Sequence, residues 1–189
     1  MPILSDNELK ELGFRKVGKN VRISTKASIF NAKNVSIGDN VRIDDFVVIS
    51  AGDGGVDIGS HIHIAVYTSL IGKAPIVIKD FANLSSRVSI YSSSDDYSGE
   101  TMTNPCIPDK YKNVENEAVT LERHVIVGCG SVILPGSTLA DGVAIGALSV
   151  VKGHCKPWSI FAGTPLKYIK ERKKNLLELE KLFVDLLCQ

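Results

Sequence analysis

The chain has 189 residues, in which 22 lysines and arginines nearly balance 21 aspartates and glutamates. This length suits one domain with its own hydrophobic core and is too short for two large domains, so we predict a single domain over residues 1–189. The balanced charge excludes an overall field that would attract nucleic acid or an anionic membrane, and any basic site therefore has to be local.

Residues 1–16 are predicted to form a helical N-terminal cap. Within them, residues 5–12 have the pattern of a short helix, with Ser5 at the N-cap position and Glu8 three residues later. In this spacing the serine and glutamate side chains each bind the other residue's backbone N–H.

Residues 17–165 repeat with a period of six. Helices repeat near 3.6 residues and flat strands near 2, so neither produces this register. A looser run begins at Val17, Ile23 and Ile29. The later aliphatic positions are Ile37, Ile43, Ile49, Ile58, Ile64, Leu70, Ile78, Leu84, Ile90, Leu121, Val127, Ile133, Leu139, Ile145 and Val151.

Two further positions of the repeat support a solenoid. The residue after the aliphatic is often small or acidic, as at Gly38 and Asp44. Four places after the aliphatic, most units carry a compact or β-branched residue: Val41, Val47, Ile62, Thr68, Ala82, Val88, Val125, Ser131, Ser137, Val143 and Ser149. Three hexads make a triangular coil of about 18 residues, and stacked coils bury a continuous apolar column. The alternative, a β-sandwich, requires period-two runs with turn signals at wider spacing.

Two segments depart from the repeat. Residues 92–118 are rich in Ser, Asp, Asn, Gly and Pro and carry no aliphatic hexad, so we predict one long loop leaving the coil there. Loops of this length within a domain are usually functional. Residues 166–189 are predicted to form a C-terminal helix after Pro165, with an apolar stripe at Leu176, Leu179, Phe183 and Leu186.

Cysteine usage and hydropathy indicate the compartment. The N-terminus lacks the charged start and apolar run of a signal peptide, and no stretch approaches the roughly 20 apolar residues of a membrane span. The cysteines have no spacing typical of a metal site, and an even number is weak evidence for disulfides here: Cys106, Cys129, Cys155 and Cys188. We expect a cytoplasmic protein without a metal site.

The hexads, the single long loop and the segment PWSIFAGTPLKYIKER (157–172) together resemble the hexapeptide-repeat acyltransferases, especially the galactoside and maltose O-acetyltransferase branch. The resemblance covers residues 17 to about 172. It implies an all-β fold, a left-handed parallel β-helix, with a short N-terminal helix, one long loop and a C-terminal helix. It also implies a homotrimer that binds acetyl-CoA, its co-substrate, in the groove between subunits.

The chain departs from this branch at the expected general base. There the loop leads to a His-Pro pair whose histidine is the base, whereas here Asp95 or Asp96 stands at that place. A neutral imidazole, with a pKa of about 6.5, suits proton abstraction from a hydroxyl better than an unperturbed aspartate. We therefore predict His63 as the base, with Asp95 or Asp96 orienting it or binding sugar hydroxyls. The alternative for the two aspartates is a loop that caps its own backbone with Asx turns.

The remaining histidines and the donor site complete the predicted set. His61 and His154 are predicted to be solvated surface residues, and His124 lies just after the loop rejoins the coil.

The predicted CoA site combines two kinds of residue. Small residues allow pantetheine to approach the backbone, and hydroxyls and cations suit the phosphates of CoA. The predicted CoA-binding residues are Gly128, Gly130, Gly146, Ala147, Ser149, Thr164, Lys167, Lys170 and Arg172.

These observations favour an acetyl-CoA-dependent O-acetyltransferase acting on a sugar, a building block of a bacterial surface polysaccharide. One alternative is an N-acetyltransferase of a nucleotide-linked amino sugar, for which a weak base suffices because the deprotonated amine is already a nucleophile. A different alternative is a non-catalytic β-helix scaffold. The AGTPLK segment (162–167) argues against the scaffold.

Overall fold

The structure, a computed structural model, describes residues 2–187. Cys188 and Gln189, the last two positions of the predicted C-terminal helix, lie outside this range. Helix α1 spans Asp6–Glu11 and α2 spans Leu176–Leu187, and short 3-10 turns occur at Ala32–Asn34 and Asp109–Tyr111. The strands in chain order are β1 Lys16–Val17, β2 Arg22–Ile23, β3 Ser28–Phe30, β4 Val35–Ile37, β5 Arg42–Ile43, β6 Val48–Ala51, β7 Val56–Ile58, β8 His63–Ile64, β9 Ser69–Gly72, β10 Ile76–Ile78, β11 Asn83–Leu84, β12 Ser89–Tyr91, β13 Ser93–Ser94, β14 Glu115–Asn116, β15 Val119–Leu121, β16 Ile126–Val127, β17 Val132–Ile133, β18 Thr138–Leu139, β19 Ala144–Ile145, β20 Val150–Val151, β21 His154–Cys155, β22 Ser159–Ala162 and β23 Lys167–Glu171.

Successive strands turn through three walls and stack in register on the preceding coil. The first wall is β1-β4-β7-β10-β15-β18-β21, the second is β2-β5-β8-β11-β16-β19-β22-β23, and the third is β3-β6-β9-β12-β17-β20. Pairing within each wall is parallel, except between β22 and β23. The fold is thus the predicted parallel β-helix.

The inward column of buried side chains consists of the residues that the six-residue period predicts. All fifteen regular aliphatic positions from Ile37 to Val151 are buried, and so are all eleven positions four residues after an aliphatic. In the looser first coil Ile23 is buried, whereas Val17 and Ile29 remain partly exposed. Burial of this column is the main driving force for stacking, because one coil alone cannot cover its own inner face.

The chain turns between walls through residues with positive φ. The first corner, between the first and second walls, is Asn20, Asn40, His61, Phe81, His124, Gly142 and Trp158. The second corner, between the second and third walls, has positive φ at Phe46, Tyr67, Arg87, Gly130 and Leu148. Glycine and asparagine adopt this conformation most readily, so the bulky side chains at several corner positions indicate a role for the side chains themselves.

The N-terminal helix has the predicted cap. Ser5 N–H donates to Glu8 Oε2 at 2.7 Å, and Glu8 N–H donates to Ser5 Oγ at 3.4 Å. Leu9 is the buried residue of this helix, and it joins the apolar core at the end of the solenoid.

The long loop leaves the solenoid between β12 and β15, as predicted. Its base is more ordered than its composition indicates, because β13 and β14 pair in an antiparallel ladder. Ser92 is buried, and its hydroxyl donates to the Ala74 carbonyl at 2.7 Å. These bonds fix the direction in which the loop departs.

The prediction of one helix from residue 166 is wrong in its first ten residues. Strand β23 pairs antiparallel with β22, and α2 begins only at Leu176. Strand β22 would otherwise leave a row of unpaired backbone groups at the edge of the second wall, and β23 pairs with part of that edge.

Candidate active site

His63 lies on the outer face of the second wall in a three-residue polar cluster. Its Nε2 is 2.8 Å from Asp44 Oδ2, and Arg42 Nε donates to Asp44 Oδ1 at 2.7 Å. Partial burial raises the pKa of Asp44, but the hydrogen bonds and charges of His63 and Arg42 outweigh it and hold that pKa below its usual value. Asp44 is therefore an ionised carboxylate that orients the imidazole of His63.

Asp44 was not among the predicted site residues, although the sequence held a signal for it. Asp44 directly follows an aliphatic of the repeat, at a position that is often small or acidic, and His63 is the residue before the aliphatic of the corresponding hexad in the next coil. Its contact with His63, from the following coil, depends on the stacking register that pairs Arg42 with His63.

The carboxylate of Asp96 holds the loop together through hydrogen bonds. Its carboxylate accepts hydrogen bonds from Ser98 N–H at 2.8 Å and from Thr101 N–H at 3.0 Å, and also from the Thr101 hydroxyl at 2.8 Å. Hydrogen bonds from Ser98 and Thr101 lower the pKa of Asp96 to about 2. The Asp96 carboxylate is thus engaged within the loop, as in the Asx-turn alternative, and the structure shows no contact between it and His63 within residues 2–187.

Asp95 is exposed and, together with Asp96, lines a cleft at the base of the loop. Other lining residues include Tyr97, Asn113, Glu115 and Lys152. Within residues 2–187, the imidazole of His63 binds Asp44 and neither loop aspartate. One chain therefore does not assemble the predicted pair of His63 and Asp95.

Two predicted CoA-binding side chains are engaged in the fold. Ser149 is fully buried; its hydroxyl donates to the Gly146 carbonyl at 2.7 Å and accepts from Gly163 N–H at 2.8 Å. Arg172 Nη1 donates to the carbonyls of His124 and Gly142 at 2.7 and 3.0 Å. Burial lowers the pKa of Arg172, and its guanidinium anchors the C-terminal segment to the first corner. The buried Ser149 hydroxyl is therefore not free to meet CoA, and Arg172 is held by backbone carbonyls of the first corner.

The glycines of the last coils are explained by close stacking. A Cβ at Gly128 would lie 2.5 Å from Ala147 N, and a Cβ at Gly146 would lie 2.8 Å from the Ala162 Cβ. Ala147, Thr164 and Lys167 are exposed, so these members of the predicted donor site remain accessible. Lys170 is exposed as well, on β23.

His61 and His124 belong to an aromatic ladder on the first corner. Phe81 stacks between them, with ring centroids 5.1 Å from His61 and 5.0 Å from His124. Helix α2 covers this ladder: Phe183 meets His61 edge-on at 5.1 Å, and Glu180 Oε2 lies 2.8 Å from His124 Nε2. The predicted solvated role of His61 is therefore replaced by packing, whereas His154 is exposed as predicted.

Known proteins similar to this chain include sugar acyltransferases. The dTDP-4-amino-4,6-dideoxy-D-glucose acyltransferase of Escherichia coli is 56% identical over 183 residues, which cover 97% of this chain and 95% of that protein. The chain belongs to the hexapeptide-repeat sugar acyltransferases. No protein-family model matches it.

Solved structures agree with this assignment. AntD, an N-acyltransferase from Bacillus cereus, was crystallised with dTDP and 3-hydroxybutyryl-CoA; it is 46% identical, covers 100% of both chains and superposes with a TM-score of 0.94. Further AntD structures carry a substituted aspartate, or a substituted serine ten residues before it. A galactoside acetyltransferase in complex with coenzyme A has the same fold, with 22% identity, a TM-score of 0.61, and coverage of 90% of this chain and 70% of that chain.

The comparisons confirm the predicted family and show that this protein is an acyltransferase. Within residues 2–187, no helix is long and apolar enough to cross a membrane. The same residues include no group of three or more His, Cys, Asp or Glu side chains placed to hold a metal ion.

Proposed function

We propose that this enzyme transfers an acyl group from acyl-CoA to the 4-amino group of a dTDP-linked 4-amino-4,6-dideoxy sugar. The observation that carries the proposal is the 56% identity, over nearly the whole chain, to the Escherichia coli enzyme that acylates this kind of sugar. The N-acyl alternative thus replaces O-acetylation of a sugar hydroxyl as the leading interpretation.

The chemistry of the loop supports an amine acceptor. No histidine occurs between residues 92 and 118, where the galactoside branch carries its base. A sugar hydroxyl needs a strong, well-placed base, whereas a neutral amine attacks a thioester carbon directly. The C–N bond then forms, the C–S bond breaks, and the proton lost from nitrogen can pass to the departing thiolate. For these reaction steps, a carboxylate that binds and orients the amine is sufficient.

Asp95 is the carboxylate that we assign to the amine. In AntD, the substituted aspartate lies ten residues after the substituted serine, and AntD aligns with this chain nearly end to end. Near those positions, only the pairs Ser85 with Asp95 and Ser86 with Asp96 keep this spacing. Because Asp96 is bound within the loop, we assign Ser85 and Asp95 to the reacting groups. Ser85 follows β11, at the edge of the second wall.

The donor site and the assembly follow from the same proposal. Thr164, Lys167 and Lys170 are exposed and are assigned to the CoA phosphates. Acetyl-CoA is the donor expected from the sequence. The second candidate is 3-hydroxybutyryl-CoA, with which AntD was crystallised. We also propose a homotrimer, because α2 exposes the apolar side chains of Leu179, Leu182 and Leu186.

A panel of acceptors tests the proposed reaction. Release of free CoA thiol is measured with dTDP-4-amino-4,6-dideoxyglucose, with dTDP-glucose, which has a hydroxyl at carbon 4, and with maltose. We expect rapid release with the amino sugar alone, and mass spectrometry should locate the acyl group on nitrogen. Turnover of maltose or dTDP-glucose at a comparable kcat/KM would contradict the proposal and restore O-acetylation.

Removal of the Lys167 ammonium tests the donor site. We expect Lys167→Ala to raise the KM for acetyl-CoA by about 10-fold, because a charge-assisted hydrogen bond to phosphate is lost, while kcat stays near that of the parent. Lys33→Ala, an exposed lysine at the opposite end of the solenoid, is the control. If the KM for acetyl-CoA were unchanged in Lys167→Ala, the proposal that Lys167 binds the CoA phosphates would be wrong.

A further inference from the structure

The second corner carries a ladder of aromatic and cationic side chains on its outer side. Phe46 and Tyr67 stack with centroids 5.0 Å apart and planes inclined by 10°. Lys26 Nζ lies 5.5 Å from the Phe46 ring centroid at one end, and Arg87 Cζ lies 5.7 Å from the Tyr67 centroid at the other. We call these four residues the second-corner ladder.

The two corner ladders differ in what covers them. On the first corner, α2 of the same chain contacts the ladder through Phe183 and Glu180. On the second corner, Phe46 remains 45% exposed and Tyr67 51% exposed. Three successive coils place Phe46, Tyr67 and Arg87 at φ values near 60°, where glycine and asparagine are favoured. Such a conformation in three bulky residues points to a use for their side chains outside the coil.

The two cationic ends of the ladder are not equivalent. Lys26 Nζ lies 3.5 Å from Asp45 Oδ2, so its charge is already matched. Among residues 2–187, Arg87 has no carboxylate partner, and its guanidinium lies over the face of Tyr67. The next corner position is Gly130, over which the Leu148 side chain of the following coil lies, and Arg87 itself remains exposed. The guanidinium is thus available to bind an anion, and its planar set of donors suits phosphate oxygens.

Arg87 also lies beside the residues assigned to the reaction. It is two residues after Ser85, in the turn that joins β11 to β12. A diphosphate held by Arg87 would place its attached sugar within reach of the Ser85 side of the turn. The exposed rings of Phe46 and Tyr67, farther along the same corner, offer an apolar surface for the nucleoside.

We infer that the second-corner ladder binds the nucleoside diphosphate part of the acceptor, with Arg87 as the residue that binds its diphosphate. This inference rests on the proposed function, since it takes the acceptor to be a dTDP-linked sugar. It assigns Arg87 to acceptor affinity and leaves the donor site to Lys167 and its neighbours.

Titration calorimetry with dTDP and with thymidine, which lacks phosphates, tests this assignment. We expect Arg87→Ala and Arg87→Asn to weaken dTDP binding by about 10- to 100-fold, because a charged hydrogen-bonding partner is lost. Arg87→Lys should recover part of the loss, and thymidine binding should change much less. Asparagine tolerates the positive φ, so Arg87→Asn separates the lost charge from backbone strain. Arg22→Ala, an exposed arginine of β2 without an ion pair among the described residues, is the control.

The outcomes separate this inference from the proposed function. If the parent acylates the dTDP-linked amino sugar but Arg87→Asn binds dTDP within twofold of the parent, only the assignment of Arg87 is overturned. If the parent neither acylates that sugar nor binds dTDP, the proposed function fails and the inference fails with it. Sedimentation of both proteins adds a third arm. Loss of assembly in Arg87→Asn with unchanged dTDP affinity would show that a second subunit covers the ladder, and would overturn the inference.

Discussion

Asp95→Asn is expected to lower kcat for the dTDP-linked amino sugar by about 100-fold or more, because a misplaced reacting group commonly costs this much in rate. The amide keeps the size of the side chain and removes the charge that binds and orients the amine. The KM for acyl-CoA should stay near that of the parent, because the exposed residues assigned to CoA lie on the C-terminal segment. Steady-state kinetics with each substrate varied in turn measures both parameters.

Three companion variants give this result its meaning. Asp53→Asn, an exposed aspartate on another part of the solenoid, is the matched control and should be as active as the parent. Asp96→Asn should act through the loop, with a higher acceptor KM and a smaller loss in kcat, because its carboxylate holds Ser98 and Thr101. An inactive His63→Ala beside a fully active Asp95→Asn would contradict the proposal and identify His63 as the base.

Leu84→Ala is expected to lower the free energy of unfolding by about 2 to 5 kcal/mol, since it opens a cavity in the buried column. Leu84 is fully buried and stacks between Ile64 and Val127 of the adjacent coils. For a chain of this size the loss corresponds to a melting temperature lower by roughly 5 to 15 °C. Thermal unfolding followed by circular dichroism measures the shift.

Leu148→Ala is the control for this cavity, because Leu148 at the second corner is 75% exposed. Its effect should stay within about 0.5 kcal/mol, as for most surface substitutions. If Leu84→Ala melted within 1 °C of the parent, the inward column would not be the main source of stability.

Local sequence and periodicity predicted the scaffold. The capping box at Ser5 and Glu8 depends on residues three positions apart, so it can be predicted without tertiary information. The six-residue period identified the inward column, because each coil repeats the burial of the one before it. The same period places Ser149 inward, four residues after Ile145, and it therefore argued against the donor role that was predicted for its hydroxyl.

The site required the register between coils and the contacts of distant segments. Asp44 contacts His63 only because their strands pair in one particular register across 19 residues of sequence. The pairing of β23 with β22 decided that Lys167–Glu171 is a strand and not the start of a helix. Arg172 was predicted to meet phosphate from its charge alone, and carbonyls far away in the sequence bind it instead.

The sequence by itself determined the solenoid, its single long loop and its family, because a repeated pattern of burial is encoded in residue types at fixed spacing. Only the tertiary structure decided which polar side chains are free. Asp96 and Asp95 are neighbours of one residue type, yet the loop's own N–H groups bind the first and leave the second exposed. The physical reason is that a polar side chain is available for chemistry only when the folded chain has not already satisfied its hydrogen bonds, and that depends on partners that its local sequence does not specify.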